Sequence, residues 1–267
     1  LSVRGTNDEV AIRSVESVSF DGGSHVSLQS LWNHAFAQHS TAGDDYLIGS
    51  DYGDTISTGD GDDVIHSHRG DDQIRGGKGD DRAYGSWGDD TYNFLLGDGI
   101  DFFDGSFDND TLSFGAGVTL SDLKLSYDVT DADYLVMAIR GTADRVGIKD
   151  VETIRFSDGS SLSYAALAQL HADQNSTAGD DYINAFESSE TISAGAGNDQ
   201  IYADRGDDTI IGGTGDDYAN GSWGNDVYIF SRGDGRDVFD GEFDTDTLRF
   251  GPDVASTDVT TFTDVTD

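Results

Sequence analysis

The sequence predicts an all-β chain of two tandem parallel β-solenoids, each flanked by a β-rich cap with a short helix, and three observations predict it. Acidic residues recur every nine positions at Asp45, Asp54, Asp63, Asp72, Asp81 and Asp90. The column returns 136 residues later as Asp181, Glu190, Asp199, Asp208, Asp217 and Asp226. Two positions after each acid stands one inward candidate: Leu47, Ile56, Ile65, Ile74, Ala83, Tyr92, Phe103 and Leu112, then Ile183, Ile192, Ile201, Ile210, Ala219, Tyr228, Phe239 and Leu248. A fixed period of this kind decides the architecture, because stacked units bury one continuous core.

The 136-residue offset covers the whole chain. Trp87 maps to Trp223, Phe114 to Phe250, Val10-Ala11-Ile12 to Val146-Gly147-Ile148, and Asp128-Val129-Thr130-Asp131 to Asp264-Val265-Thr266-Asp267. Two units agree with the size of the chain, 267 residues.

Residues 1–40 read as the end of a cap. Val10-Ala11-Ile12 and Val18-Ser19-Phe20 alternate as short strands, Asp21-Gly22-Gly23 turns, and Ser27 caps a helix with Leu28, Leu31, Trp32 and Phe36 on one face. Residues 41–114 are the first solenoid. Each repeat, such as Thr58 to His66, is glycine-rich for six residues and strand-like for three. Glycine serves turns that visit positive φ, and three residues with one inward side chain make the shortest useful strand.

An insertion at Phe94-Leu95, mirrored at Phe230-Ser231, lengthens one step from nine residues to eleven before Asp101 and Asp237; Asp110 and Asp246 then resume the rhythm. Whether Asp101 and Asp237 still join the columns is left open by the spacing.

Residues 115–175 form a complete cap. Leu123-Lys124-Leu125-Ser126-Tyr127 and Tyr134-Leu135-Val136-Met137-Ala138 alternate as a hairpin about Thr130-Asp131-Ala132-Asp133. Ile154-Arg155-Phe156, the turn Ser157-Asp158-Gly159, and a helix from Ser163 with Tyr164, Leu167, Ala168 and His171 on one side complete it. Solenoid ends need such covers. Residues 176–250 are the second solenoid, and 251–267 begin a truncated cap. The chain reads as an excised piece of a longer array, in which the split cap invites head-to-tail self-association.

Composition narrows the function. A net charge of −37 rules against nucleic acid, which needs a basic footprint, and against unaided docking on anionic lipid. Disorder is disfavoured by 36% apolar and 10% aromatic content in regular placement. With no cysteine there is neither a disulfide nor a thiolate metal site. No apolar stretch approaches the roughly 20 residues of a membrane helix, and Leu1-Ser2-Val3-Arg4 is no signal peptide. The ligand implied is a small cation.

The nonapeptides Gly76-Gly77-Lys78-Gly79-Asp80-Asp81-Arg82-Ala83-Tyr84 and Gly212-Gly213-Thr214-Gly215-Asp216-Asp217-Tyr218-Ala219-Asn220 match Gly-Gly-x-Gly-x-Asp-x-apolar-x. In them the chain resembles the RTX (repeats-in-toxin) family of haemolysin-type calcium-binding repeats, and Gly141 to Leu170 resembles the cap region found beside such repeats in large secreted bacterial proteins. The resemblance implies parallel β-rolls in which repeats n and n+2 stack and several calcium ions per roll sit between the turns. It implies stacked columns Asp45-Asp63-Asp81, Asp54-Asp72-Asp90, Asp181-Asp199-Asp217 and Glu190-Asp208-Asp226, continued by Asp101, Asp110, Asp237 and Asp246. Backbone carbonyls would come from Gly43, Gly59, Gly61, Gly70, Gly77, Gly79 and Gly88, and from Gly179, Gly195, Gly197, Gly206, Gly213, Gly215 and Gly224.

Physical chemistry reaches the same ligand. Calcium takes six to eight oxygens in flexible geometry, whereas magnesium demands a tight octahedron. Carboxylates one strand spacing apart, about 4.8 Å, repel by roughly 3–4 kcal/mol at an effective dielectric near 20. Several such pairs would exceed a domain's ~5–15 kcal/mol of stability. The blocks are therefore expected to fold only as calcium binds.

Other features receive plainer readings. His66 and His68 form His-x-His, but Tyr202 and Asp204 replace them in the second block, so a surface pair is preferred to a transition-metal site. Trp87 and Phe107, like Trp223 and Phe243, can stack; packing against the cap is preferred to a platform for a glycan or protein. The chain lacks His-Glu-x-x-His, a Gly-x-Ser-x-Gly elbow and a cysteine nucleophile, so no enzyme is expected. The resulting expectation is a calcium-dependent roll tandem of a secreted, extracellular or bacterial cell-surface protein, folding outside the cell after type I secretion. The alternatives are a calcium-organised adhesin, or an accessory region of a secreted hydrolase or epimerase.

Overall fold

The structure, a computed structural model, describes residues 17–19, 21, 24–32, 40–127 and 134–261. The expected strand 10–12, Phe20, Gly22, Gly23, Phe36, the turn 130–133 and the final repeat 264–267 lie outside them. The chain divides into two units, Leu1–Ser161 and Leu162–Asp267. Both are parallel β-solenoids.

In the first unit one parallel run contains Tyr46–Ile48, Val64–His66, Arg82–Ser86, Ile100–Ser106 and Arg145–Lys149. The other contains Thr55–Asp60, Gln73–Lys78, Thr91–Phe94, Thr111–Phe114 and Thr153–Arg155. Leu47 lies opposite Ile65 and Ile65 opposite Ala83; Ile56 lies opposite Ile74 and Ile74 opposite Tyr92. Repeats n and n+2 therefore stack. The reason is the side-chain period of two: the middle residue of each three-residue strand points inward, and the turn reverses the chain to the facing sheet. All eight inward residues from Leu47 to Leu112 are buried.

The eleven-residue step leaves the register intact, because its extra residues bulge outward in the turn 95–98. Asp98 holds that turn, its Oδ2 accepting the Leu95 N–H at 2.7 Å and its Oδ1 meeting Arg75 at 3.3 Å. Ala83 then faces Phe103, and Tyr92 faces Leu112.

Two cap strands continue the coil. Ile148 lies opposite Phe103 and Ile154 opposite Leu112, so the cap covers the last inward residues with aliphatic side chains. The expected hairpin forms as Leu123–Tyr127 against Leu135–Ile139, which pairs in turn with Arg145–Lys149. Near the N-terminus, Ser17–Ser19 pairs antiparallel with His25–Ser27, and Ser27 Oγ accepts the Ser30 N–H at 3.1 Å as residues 28–32 turn helical.

The second unit repeats the plan with sheets Tyr182–Asn184, Gln200–Tyr202, Tyr218–Asn220, Val238–Asp240 and Thr191–Ala196, Thr209–Thr214, Val227–Phe230, Thr247–Phe250. Its start is closed by the helix Tyr164–Asn175, which buries Leu167, Ala168, His171 and Ala172 and brings Ala172 onto Ile183 and Ile192. Ser163 caps the helix, accepting the Ala166 N–H. Gln169 acts as a substitute strand: its amide donates to the Thr191 carbonyl and accepts the Thr191 N–H. The boundary between the units falls within 115–175, and this helix belongs to the second. Leu248, an expected inward residue, is 48% exposed, since no strand among the described residues stacks beyond Thr247–Phe250.

Candidate metal centre

The turns are shaped by alternating positive φ. In the turns led by Thr58 and Gly76 both left-handed positions are glycine: Gly59, Gly61, Gly77 and Gly79 have φ between 121° and 137°. On the opposite edge the first of the two is occupied by His68, Ser86, Ser106, Asp204, Ser222 and Glu242. These residues hold a strained backbone that glycine would hold without cost.

The nine-residue acids become buried ladders. The Asp63 side chain accepts the main-chain N–H of Asp45 through Oδ1 at 2.7 Å, and Asp81 accepts that of Asp63 at 2.8 Å. Asp72 accepts from Asp54, and Asp90 from Asp72. Beyond the insertion, Asp101 accepts from Asp81 at 3.1 Å and Asp110 from Asp90 at 2.8 Å. The second unit matches: Asp199, Asp208, Asp217, Asp226, Asp237 and Asp246 accept from Asp181, Glu190, Asp199, Asp208, Asp217 and Asp226. Asp101 and Asp237 thus join the columns after all.

One oxygen of each central rung is left over. The Oδ2 atoms of Asp63, Asp72, Asp81, Asp90, Asp110, Asp199, Asp208, Asp217 and Asp226, and Oε2 of Glu190, are buried without a hydrogen-bond partner. A buried carboxylate oxygen without a partner is costly, so each such atom calls for a cation or a proton. Three of the four first rungs differ, Glu190 being the exception. Asp45 and Asp181 spend their carboxylates on Thr41 and Thr177, and Asp54 on Ser50 and Gln29.

Glycine makes room at the spare oxygens. A methyl group on Gly76 would come within 2.0 Å of Asp81 Oδ2, on Gly85 within 2.2 Å of Asp90 Oδ2, and on Gly212 within 2.3 Å of Asp217 Oδ2. Turn carbonyls stack beside the same columns: those of Gly59 and Gly61 lie 1.9 Å and 2.0 Å from where side chains of Gly77 and Gly79 would begin. The donor set is carboxylate plus carbonyl oxygen throughout, which suits a hard cation such as calcium. Among the described residues, no three or more His, Asp or Glu side chains gather into a metal-holding group. Carbonyls must therefore complete any shell, as the repeat resemblance implies for the glycines named above.

Burial dominates the ladder's electrostatics. It raises the carboxyls of Asp101, Asp110 and Asp208 to about 8, Asp72 and Glu190 to about 7, and Asp81, Asp90 and Asp237 to about 6. Neighbouring carboxylates add to the rise in each ladder, and the accepted N–H of the preceding rung opposes it.

A second ladder escaped the sequence reading. Exposed residues directly before several of the inner acids accept from the following coil: Asp44 from the Asp62 N–H at 3.0 Å, Asp62 from Asp80 at 2.9 Å, and Asp80 from Ile100 at 3.0 Å. Asp180, Asn198 and Asp216 do the same in the second unit. Inner and outer acids tie each turn in opposite directions along the stack. The Asp-Asp doublets at 44–45, 62–63, 71–72, 80–81 and 89–90 were the available signal.

The aromatic pairs do stack, Trp87 on Phe107 at 4.4 Å and Trp223 on Phe243 at 4.3 Å. Among the described residues Trp87 and Phe107 do not pack into a cap as expected: they are 51% and 52% exposed, because their turn position projects from the edge of the solenoid. His66 stacks on Tyr84 at 4.6 Å, in line with a surface role.

No curated protein matches the chain. Among solved structures, it is similar to the AlgE6R3 subunit of the Azotobacter vinelandii mannuronan C5-epimerase, with 25% identity and a TM-score of 0.32 over 40% of this chain and 71% of that one. It is also similar to extracellular lipase LipA of Serratia marcescens, with 22% identity and a TM-score of 0.30 over 79% of this chain and 32% of that one. The sequence model of the RTX calcium-binding nonapeptide repeat (4 copies) matches residues 39–74, 69–100, 94–118, 175–201 and 202–234. Those segments span just over half of the chain and hold the ladder acids from Asp45 to Asp110 and from Asp181 to Asp226, so the chain belongs to the RTX calcium-binding nonapeptide repeat family.

Proposed function

We propose that this calcium-binding β-roll chain is a calcium-triggered folding unit without catalytic chemistry of its own, working outside the cell after export in unfolded form. The observation that carries the reading is the row of buried, unpartnered carboxylate oxygens beneath glycines in both units. Asp63, Asp72, Asp81, Asp90, Asp101 and Asp110 would hold the ions in the first roll, and Glu190, Asp199, Asp208, Asp217, Asp226, Asp237 and Asp246 in the second, with turn carbonyls. Bound calcium supplies positive charge that cancels carboxylate repulsion and the cost of burying anions. The chain's own residues do the rest: glycines clear the space, and Oδ1 atoms fix each carboxylate on the preceding coil.

The chain without calcium is an acidic polymer, suited to passage through a narrow export channel. Calcium-rich surroundings then complete the fold. Calcium titration should give cooperative β-structure by circular dichroism, reversed by EGTA; β-structure unchanged by EGTA would count against the reading.

A second reading has its own support. Both units present a half-exposed indole stacked on a phenyl ring at equivalent positions, as a calcium-organised adhesive surface for a glycan or protein would. A glycan array probed with calcium-loaded protein and with a Trp87→Ala/Trp223→Ala variant tests it, binding lost in the variant being the supporting result.

A further inference from the structure

The ladder on one edge of the first unit continues past its last repeat. The main-chain N–H of Asp110 donates to Glu152 Oε2 at 2.6 Å, as Asp90 donates to Asp110. Glu152 precedes Thr153, which pairs with Thr111, so it occupies the next rung although it belongs to the cap and has no glycine frame. On the other edge the cap sets Val146 opposite Asp101, where a carboxylate would be needed, and the ladder stops.

Asp110 is 1% exposed, and its Oδ2 has no hydrogen-bond partner. This atom and the Asp150 carbonyl oxygen converge on one spot: a methyl group on Gly105 would lie 2.0 Å from the first and 2.1 Å from the second. Asp150 has φ of 49°, rare for a non-glycine residue. The sequence repeats the device, since Val15-Glu16-Ser17 lies 136 residues before Val151-Glu152-Thr153.

We propose that Asp110 Oδ2, the Asp150 carbonyl and the Glu152 carboxylate form a further calcium site that fastens the cap to the roll. The inference rests on the calcium reading above and deepens it. Repeat sites hold coil to coil, whereas this one joins a repeat to a segment that lacks the repeat motif. Calcium would thereby complete the solenoid and its cover together.

The test counts bound calcium at saturation by equilibrium dialysis. Glu152→Gln keeps an oxygen able to accept the Asp110 N–H but removes the charge, and should bind one ion fewer per chain with an unchanged circular dichroism spectrum. Asp150→Gly keeps the carbonyl, relieves the positive φ and should bind as many ions as wild type. An unchanged count in Glu152→Gln overturns the site. If wild type binds no calcium, the wider reading fails instead. Should Glu152→Gln not fold, calcium-loaded wild-type crystals decide: an anomalous peak between Asp110 and Glu152 supports the site, and its absence refutes it.

Discussion

The main-chain N–H of Asp81 donates to the carboxylate of Asp101 across the eleven-residue step at 3.1 Å, close to the 2.8 Å by which Asp63 reaches Asp81 over the regular step. The rung is thus set by the stacking of coils and not by counting residues along the chain. An acid's place on that ladder decides what its substitution does.

Asp81→Asn should weaken calcium-driven folding while stabilising the metal-free state. Asp81 Oδ2 is buried and spare, so its charge serves the metal; without metal it repels Asp63 and Asp101 by roughly 3 kcal/mol per neighbour at the strand spacing, and an asparagine Oδ1 can still accept the Asp63 N–H. The calcium midpoint should rise at least ~10-fold, equivalent to about 1.4 kcal/mol. Asp45→Asn should do much less, since Thr41 already satisfies that carboxylate. Equal midpoint shifts in the two variants would contradict the distinction between central and first rungs.

Gly76→Ala should be as damaging as the loss of a carboxylate. Its methyl group would enter the space beside Asp81 Oδ2, and the backbone of Gly76 is not in the left-handed region, so the space alone is tested. Overpacking of this kind costs about 1–3 kcal/mol. Gly43→Ala meets nothing within 4 Å and is the control. Calcium titrations of both by circular dichroism check this; a wild-type midpoint in Gly76→Ala would remove the cradle from the argument.

Most of this arrangement was legible in the sequence, for physical reasons that also mark where legibility ended. The inward column from Leu47 to Leu112 could be read because a glycine turn and a three-residue strand leave one side chain no other place to go. The stacking of n on n+2 came through the resemblance. Glu152 was missed because its rung is set by pairing of Thr111 with Thr153, which no local motif records. The exposure of Trp87 was misjudged since ring size speaks for burial, while its turn position projects it outward.

Acid should promote folding of the calcium-free chain. Burial raises the ladder carboxyls, to about 8 for Asp101, Asp110 and Asp208, above the 3.8 of an exposed aspartate. Between about pH 4 and 8 the folded state therefore binds more protons than the unfolded one, and its stability falls as pH rises through that window. Far-UV circular dichroism in EGTA should show more β-structure at pH 4.5 than at pH 8. A reversed order would mean that the ladder is not what opposes folding.

Tyr92→Phe and Tyr228→Phe should each lower the melting temperature of the calcium-saturated protein. Each hydroxyl donates across the coil to a carbonyl, Asp104 at 2.9 Å and Asp240 at 2.8 Å, and the ring itself is buried. Removing the hydroxyl leaves a carbonyl unsatisfied at about 1–3 kcal/mol. The loss should be larger for Tyr92, whose coil is closed over by Ile154 beyond Leu112, than for Tyr228, whose neighbour Leu248 is half exposed and where water can replace the bond. Paired melts in saturating calcium settle the order, and a larger drop for Tyr228→Phe would show that covering the roll's last coil does not govern the dryness of its interior.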